Sequence, residues 1–398
     1  MMHQLTATPF QDDVHRLPSI TWTVSCEKVV SYQVVVMPNL LDPDNPTLIE
    51  AGSRQEFVSH RRFVVIDRTV DELYGDRLRT YLCSRGITAR ICSLPISEPT
   101  KIIDSVLRIC RELDDFGIDR RREPIIGIGG GVLLDVVGLA ASLYRRHTPY
   151  IRVPTTVVGL IDAGIGAKTG VNFDGHKNRI GSYEPPAAAL LDRTFVATLD
   201  ERQISNGLAE IVKIGLVKDR KLFELVEAHG PRMLAERLQG VTPVSEAATR
   251  EMLRRAVQGM LEELQPNLWE QRLERLVDYG HSFSPALEMA ALPALLHGEA
   301  VAIDMALTTV LGCRRGLVCP TDRDRVLAAL RGLRLPVWHP LCEPRLLGRA
   351  LTDTTRHRNG LQRLPVPVGI GQAVFVNDVS ADELAESAFE LADLAVSS

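Results

Sequence analysis

Three residues of the kind that bind metal ions lie far apart in this sequence. Glu210 stands in GLAEIVK, His281 in DYGHSF and His297 in LLHGEAV. One carboxylate and two imidazoles leave a coordination position open, as a catalytic zinc ion requires. Their separations are irregular, and a lone histidine more often has a structural role, so spacing alone does not decide between the two. Lys213 follows Glu210 by one helical turn and would share its helical face.

A second group of polar residues lies among small ones in residues 152–183, RVPTTVVGLIDAGIGAKTGVNFDGHKNRIGSY. Its main polar side chains are Asp162, Lys168, Lys177, Asn178 and Arg179. Lysine and asparagine suit the oxygens of a phosphate or a polyol, and the neighbouring glycines let a ligand come close. A solvated loop is the alternative, and we favour the ligand site.

A glycine-rich segment, GIGGGVLLDVVG (127–138), joins a predicted strand to a predicted helix. Glycines there let the backbone approach a pyrophosphate, and the helix N-terminus offers free N–H groups. The pattern is not a full G-x-G-x-x-G, so a tight strand–helix turn remains open. Asp67, at the end of an earlier strand, could bind ribose hydroxyls or could instead cap a helix.

The elements that must position these residues alternate between strands and helices in the first half of the chain. Strands are predicted within 21–37, 61–70, 89–98 and 123–131, and helices in 71–86, 101–117 and 132–146. This alternation predicts a parallel sheet wrapped by helices.

From about residue 200, apolar residues recur with helical spacing, as in TREMLRRAVQGMLEEL. We predict a flexible tail over 1–20, a nucleotide-binding α/β domain over 21–198 and a mostly helical metal- and substrate-binding domain over 199–398. A late β-hairpin is predicted in 363–376.

The composition argues against several other functions. The net charge of −4 gives no electrostatic reason to bind nucleic acid or an anionic membrane. No stretch of about 18 apolar residues predicts a membrane span, and the N-terminus lacks the apolar core of a signal peptide. The seven cysteines form no CxxC pair, so we expect reduced thiols in the cytoplasm.

Several segments, taken in order, resemble the dehydroquinate synthase-like family, the sugar phosphate cyclases. They are GGGVLLDVVG, RVPTT, KTGVN, GHKNRIG, GLAEIVK, GHSF, HGEAV and VGIG, spread over roughly residues 60–370. The resemblance implies an N-terminal Rossmann-like α/β domain that binds NAD and a helical C-terminal domain that binds one divalent ion, zinc or cobalt. It also implies a homodimer in which Arg146 reaches the phosphate in the neighbouring subunit.

The resemblance also assigns the site residues. The implied metal ligands are Glu210, His281 and His297, and the implied catalytic residues are Asp162, Lys168, Lys213 and Asp278. Substrate and phosphate contacts fall on Arg146, Lys177, Asn178, Pro285 and His357. NAD contacts fall on Asp67, Glu98, Lys101, Gly129, Gly130, Gly131, Asp135, Thr155 and Thr156.

The sequence departs from the dehydroquinate synthase pattern N-x-G-H-T-F-G-H. Asp278 replaces the asparagine, and Pro285 replaces the last histidine. Glu274 replaces an arginine that pairs with the substrate carboxylate, and the companion lysine falls near Met260. His357 replaces a lysine near the phosphate. Because Glu274 would repel a carboxylate, we predict a substrate without one.

These departures resemble the sedoheptulose 7-phosphate cyclases, and most of all the branch that forms 2-epi-5-epi-valiolone at the start of C7-cyclitol biosynthesis. The implied reaction is that of a phosphate-eliminating lyase: transient oxidation by NAD, loss of phosphate, reduction and aldol closure. Branches that form 2-epi-valiolone or desmethyl-4-deoxygadusol rank next, then 3-dehydroquinate synthase, then a metal-dependent polyol dehydrogenase. A catalytically inactive NAD-binding protein would be favoured by loss of a metal ligand, and none is lost.

Overall fold

The computed structural model describes residues 6–9, 20–52 and 59–396. Most of the predicted tail over 1–20 lies outside these ranges, so its flexibility stays a prediction. Thr6–Pro9 and Ile20–Thr23 are described, and they pair as antiparallel strands.

The strands and helices alternate up to about residue 191, and helices dominate afterwards. The strands are β1 (Thr6–Pro9), β2 (Ile20–Thr23), β3 (Gln33–Val36), β4 (Arg61–Asp67), β5 (Thr88–Leu94), β6 (Ile125–Gly129), β7 (Tyr150–Pro154), β8 (Lys168–Phe173), β9 (His176–Tyr183), β10 (Ala188–Leu191), β11 (Leu364–Pro367) and β12 (Ala373–Val376). The α-helices are α1 (Thr47–Glu50), α2 (Arg68–Ser84), α3 (Ile103–Phe116), α4 (Gly131–Leu143), α5 (Glu201–Val217), α6 (Arg220–Ala235), α7 (Pro243–Leu264), α8 (Ser284–Ala291), α9 (His297–Arg314), α10 (Pro320–Gly332), α11 (Pro344–His357) and α12 (Ala381–Val396).

A parallel sheet in the order β3-β10-β7-β6-β4-β5 forms the core of the first half of the chain, as predicted. Its strands are apolar on both faces because helices cover both sides. In β4, Val64 and Ile66 face one core, whereas Phe63 and Val65 face the other. This period of two is what an extended chain requires.

The strand order reverses between β4 and β6, so the carboxyl ends of these strands frame a crevice. Parallel α/β sheets bind ligands at such a switch point. Asp67 ends β4, and Gly129 ends β6. A Cβ added to Gly129 would lie 3.3 Å from that of Asp67, which brings the two predicted cofactor residues side by side.

Two buried helices form the centre of the helical half. From residue 204 to 217, α5 is buried on all sides, and α9 is buried from 298 to 312. They cross so closely at Gly298 that a side chain there would collide with the Asn206 carbonyl oxygen. Glu210 and His297 are thereby brought together from these two helices.

Two hairpins complete the described chain. The predicted hairpin in 363–376 is confirmed by antiparallel pairing of β11 with β12. The hairpin of β8 and β9 was missed, because its exposed polar residues resemble a loop. Within the described ranges, none of the helices is both long and apolar enough to cross a membrane.

Candidate active site

Glu210, His281 and His297 converge on one point between α5, α9 and the segment before α8. Their possible ligand atoms all lie within 4.8 Å of one another. Oε1 of Glu210 is 3.4 Å from Nε2 of His297 and 3.8 Å from Nε2 of His281. These separations suit three ligands around one ion, with room for a fourth ligand.

The buried carboxylate of Glu210 fits a metal ion. Neither of its oxygens accepts a hydrogen bond of good geometry within the described part of the chain, which is costly for a buried anion. Nζ of Lys213 lies 2.5 Å from Oε2, and Oε1 faces only the two imidazoles. Burial alone would raise the pKa of Glu210, but Lys213 and both histidines hold it well below its usual range. The residues present therefore fit a divalent cation.

Lys213 is as deeply buried as Glu210. Its Nζ also lies 3.4 Å from Oδ2 of Asp162, which is on a π-helical turn at Gly159–Ala163. Burial disfavours the ammonium form, but Glu210 and Asp162 outweigh it and raise the pKa of Lys213. Lys213 therefore presents a fixed positive charge beside the three ligands.

Asp304 of α9 binds the backbone of the segment that carries His281. Oδ2 of Asp304 accepts the backbone N–H groups of Phe283 at 2.6 Å and Ser284 at 2.9 Å. The hydroxyl of Thr354 donates to the Ser282 carbonyl at 3.0 Å. Nδ1 of His281 lies 3.1 Å from the Tyr279 carbonyl, so its Nε2 is turned towards Glu210.

The hairpin of β8 and β9 brings several predicted residues to the edge of the sheet. Nζ of Lys101 is 2.5 Å from Asp135 and donates to Oδ1 of Asn178 at 2.6 Å. The amide of Asn172 donates to Oε1 of Glu98 at 2.8 Å. The backbone N–H of Asn178 donates to Oδ1 of Asn172 at 2.9 Å. Four of the predicted cofactor and substrate residues thus form one hydrogen-bonded group, and Asn172 is a member that the sequence did not suggest.

A chain of alternating charges borders the site on its other side. Glu270 pairs with Lys168 and with Arg275, and Arg275 pairs with Asp278. Arg358 lies 3.5 Å from Asp278. Glu270, Arg275 and Arg358 were not predicted, since only their partners belong to recognisable motifs.

The expected position of Glu274 needs correction. Glu274 is exposed, whereas the partly buried neighbour Arg275 turns towards Glu270 and Asp278. A short helical turn at Leu276–Asp278 places Arg275 and Asp278 on one side. Two carboxylates already neutralise Arg275, so the argument against a carboxylate substrate now rests on this arginine being paired and not on repulsion by Glu274. Met260 is buried in the helical core.

Three predicted substrate residues lie at the surface. Arg146 and His357 are exposed, and neither side chain makes a hydrogen bond or ion pair within the described part of the chain. Pro285 is also exposed, at the first turn of α8, where proline costs no helical hydrogen bond. Among the described residues, Arg146, His357 and Pro285 therefore make no side-chain hydrogen bond or ion pair with the three candidate metal ligands.

The predicted nucleotide contacts line the carboxyl edge of the sheet. Gly130 precedes α4, and a Cβ at Gly131 would lie 2.9 Å from that of Ala163. Thr155 donates its backbone N–H to the Gly129 carbonyl at 3.0 Å, and the hydroxyl of Thr156 accepts the Gly159 N–H at 3.2 Å.

Asp67 caps α2, as the alternative interpretation held. Its Oδ1 accepts the backbone N–H groups of Thr69 at 2.9 Å and Val70 at 3.4 Å. A cap of this kind uses only one of the two carboxylate oxygens, so capping and binding of ribose hydroxyls are compatible.

Comparison with known proteins agrees with this arrangement. Residues 91–206 match the 3-dehydroquinate synthase N-terminal family, and residues 207–356 match the 3-dehydroquinate synthase C-terminal family. The chain belongs to the 3-dehydroquinate synthase family. The resemblance inferred from the motifs is confirmed, and so is the prediction that the chain is an enzyme.

Within the 3-dehydroquinate synthase family, the similar relatives include cyclitol-forming enzymes. A 2-epi-5-epi-valiolone synthase of an Actinomyces species is 59% identical over 94% of this chain and 98% of its own length. Another, from an Actinoplanes species, is 57% identical over 94% of both chains. A demethyl-4-deoxygadusol synthase of Trichormus variabilis is 36% identical over 92% of this chain and 89% of its own length.

A solved structure shows the same fold. It is ValA, a 2-epi-5-epi-valiolone synthase from Streptomyces hygroscopicus subsp. jinggangensis 5008 with NAD+ and Zn2+ bound. The TM-score is 0.88 at 53% identity, with 94% of this chain and 100% of that chain covered. The predicted fold class is confirmed, whereas the predicted domain boundaries stay predictions.

Proposed function

We propose that the chain converts sedoheptulose 7-phosphate into 2-epi-5-epi-valiolone with loss of phosphate, the first step of C7-cyclitol biosynthesis. The observation that carries the proposal is 59% identity to a 2-epi-5-epi-valiolone synthase over nearly the whole chain. The demethyl-4-deoxygadusol synthase is only 36% identical, which favours the valiolone product over that alternative. Seven free thiols support action in the cytoplasm.

One divalent ion, zinc or cobalt, would be held by Glu210, His281 and His297. NAD would lie across the carboxyl edge of the sheet, against Asp67 and the glycines of residues 129–131. When bound, NAD would accept and later return a hydride, and the ion would polarise the oxygen of the hydroxyl group whose carbon is oxidised.

The substrate phosphate would be bound by cations of the hairpin and α5. Lys168, Lys177 and Asn178 lie on the two strands of the hairpin, and Lys213 lies on α5 beside Asp162. Such groups neutralise the charge that grows on a departing phosphate. His357 at the end of α11 would add a donor at the outer edge of the site.

Asp162 and Asp278 would orient the hydroxyl groups of the open-chain intermediate. Asp278 is held between Arg275 and Arg358, so its carboxylate has a fixed direction. Pro285 fills the position of a substrate-binding histidine without offering a hydrogen bond. Aldol closure would then depend on positioning, which can supply a large part of a rate enhancement.

The working form would be a homodimer in which Arg146 completes the neighbouring site. The backbone supports this role, because Arg145, Arg146 and His147 all have positive φ, at 51°, 62° and 119°. Such conformations are strained for residues with a side chain, and strain of this kind often accompanies function. Arg146 is exposed and would serve as a phosphate ligand in the other subunit.

Incubation of the purified protein with sedoheptulose 7-phosphate, NAD and zinc or cobalt tests the proposal. Free phosphate, net NADH and the product, by mass and NMR, are measured. We expect phosphate release without net NADH and a cyclitol whose NMR spectrum is that of 2-epi-5-epi-valiolone. The Glu210→Gln variant, which removes a ligand charge at constant size, should be inactive.

Other outcomes would replace the proposal. NADH that accumulates without phosphate release indicates a polyol dehydrogenase. A different cyclitol epimer indicates another sedoheptulose 7-phosphate cyclase. No turnover, together with 3-dehydroquinate formed from the C7 acid phosphate, indicates a dehydroquinate synthase.

A further inference from the structure

Glu288, which the sequence motifs did not single out, connects a metal ligand to the hairpin. It lies on α8 and is 6% exposed. Its Oε2 is 3.1 Å from Nδ1 of His297, and its Oε1 accepts a hydrogen bond from Nζ of Lys177. Lys177 also lies 3.4 Å from Oε1 of Glu98. One carboxylate is therefore shared between the imidazole of a ligand and a cation of the predicted phosphate site.

The contact at Nδ1 determines how His297 can act. When Nδ1 donates its proton to Glu288, Nε2 carries a lone pair, and Nε2 is the nitrogen that faces Glu210 at 3.4 Å. A carboxylate behind a ligand histidine fixes its tautomer and orientation and makes the nitrogen at the metal a stronger donor.

The two histidine ligands differ in this respect. His281 is backed by a neutral acceptor, the Tyr279 carbonyl at 3.1 Å. His297 is backed by a buried anion whose charge is balanced by Lys177 from β9. Burying a carboxylate without a cation would be costly, so Lys177 offsets part of the cost of burying Glu288.

We propose that Glu288 is a positioning residue that holds His297 in its metal-binding orientation, with Lys177 balancing its charge. The proposal rests on the proposed function only for the role of Lys177 in binding phosphate. The remainder concerns metal binding and holds whatever reaction the enzyme catalyses.

The test is a competitive titration of the metal-free full-length protein with zinc and a chromophoric chelator. Removing an outer-sphere partner of a ligand histidine weakens metal binding on the order of 10- to 100-fold. We expect this loss for Glu288→Ala and a smaller loss for Glu288→Gln, whose amide oxygen still accepts the N–H of His297. The absorption bands of the cobalt-loaded protein should also shift, because a reoriented imidazole changes the ligand field.

Glu123→Gln is the matched control, since Glu123 is also a buried carboxylate, at 3% exposure, and is bonded to Ser59 far from the site. Its zinc affinity should equal that of the unmodified protein. Zinc affinity and cobalt spectra that stay unchanged in both Glu288 variants would overturn the proposal. If Glu288→Ala does not fold, Glu288→Gln, which keeps the size of the side chain, still gives the answer. Zinc affinity and cobalt spectra are both measured without turnover. A failed cyclase assay would therefore refute the proposed function without affecting the conclusion about Glu288.

The variant Lys177→Met tests the positive charge of Lys177 separately from the hydrogen bond between Glu288 and His297. It removes the cation that shares Glu288 but leaves the carboxylate behind His297, so zinc should bind at least as tightly as in the unmodified protein. Inhibition of the enzyme by inorganic phosphate should weaken at the same time. Zinc binding weakened as much by Lys177→Met as by Glu288→Ala would contradict the division of roles.

Discussion

At the residue scale, Asp304 shows how a group without contact to a ligand can govern the site. It is fully buried, it fastens the backbone after His281, and its Oδ1 accepts no hydrogen bond within the described residues. Burial raises the pKa of this carboxyl to about 6, against the lowering effect of the N–H groups of Phe283 and Ser284. The carboxyl therefore stays protonated to a higher pH in the folded protein than in the unfolded chain.

This shift predicts a pH dependence of stability. An aspartate in an unfolded chain has a pKa of about 3.9, so the stabilising effect of protonated Asp304 is present below that pH and is lost as the pH rises through 6. Asp304→Asn keeps an acceptor for the two N–H groups and cannot ionise. The unfolding free energy of the variant, relative to the unmodified protein, should rise by about 2 kcal/mol between pH 4 and pH 7.5. Urea denaturation of both proteins with EDTA measures it, and a difference independent of pH contradicts the shift.

The metal ligands could be proposed from the sequence, because they stand in motifs that resemble a known family. Their partners could not. Glu288 and Arg275 are ordinary acidic and basic residues in SPALEM and LERLVD. Only the fold shows that one meets His297 and that the other, and not Glu274, turns inward. A shift of one position along a short turn reverses the sign of the charge that faces the site.

At the element scale, the alternation of strands and helices was predictable because buried parallel strands are continuously apolar. The hairpin of β8 and β9 was not, because the polar residues Lys168, Lys177 and Asn178, which we propose bind the substrate, break the apolar alternation of a strand. Asn178 has a φ of 53°, unusual for a strand residue. The same polar residues that indicated a ligand site therefore concealed the strands, and the sequence alone predicted no hairpin there.

The close crossing of α5 and α9 predicts that adding a single methyl group at Gly298 destabilises the protein. Gly298 donates its N–H to Oδ1 of Asn206 at 2.5 Å, and a Cβ there would collide with the Asn206 carbonyl oxygen. Gly298→Ala must push the helices apart, so we expect a loss of about 1–3 kcal/mol in unfolding free energy. Zinc affinity should fall too, because Glu210 and His297 lie on the separated helices.

Gly348→Ala is the control for the crossing, because a Cβ at Gly348 in α11 would meet no atom within 4 Å. That variant should be neutral or more stable by about 0.5–1 kcal/mol, since alanine favours helices over glycine. Thermal unfolding and zinc titration compare the two. Equal stability and equal zinc affinity in both variants would show that close packing does not control the site.

At the scale of the whole molecule, one chain supplies every ligand of the predicted metal site but leaves Arg146 outside it. Arg146 follows α4, whose N-terminus lies at the predicted NAD site, so it stands at the opposite end of that helix from the glycines. An arginine that has a strained backbone, and whose side chain makes no hydrogen bond or ion pair among the described residues, suits a site in a second subunit. This arrangement predicts that catalysis requires two chains.

Complementation between two inactive variants tests this arrangement. Arg146→Ala should lower kcat/KM on the order of 100-fold by removing a phosphate ligand, and Lys213→Met should inactivate the subunit that carries it. In a mixed dimer, the Arg146→Ala subunit has an intact Lys213 and borrows Arg146 from its partner, so one of the two sites works. Random exchange of equal amounts should therefore restore about a quarter of the full activity. If Arg146 served its own subunit, each mixed dimer would contain two defective sites, and mixing would restore nothing. Ultracentrifugation of each variant checks that it still forms dimers.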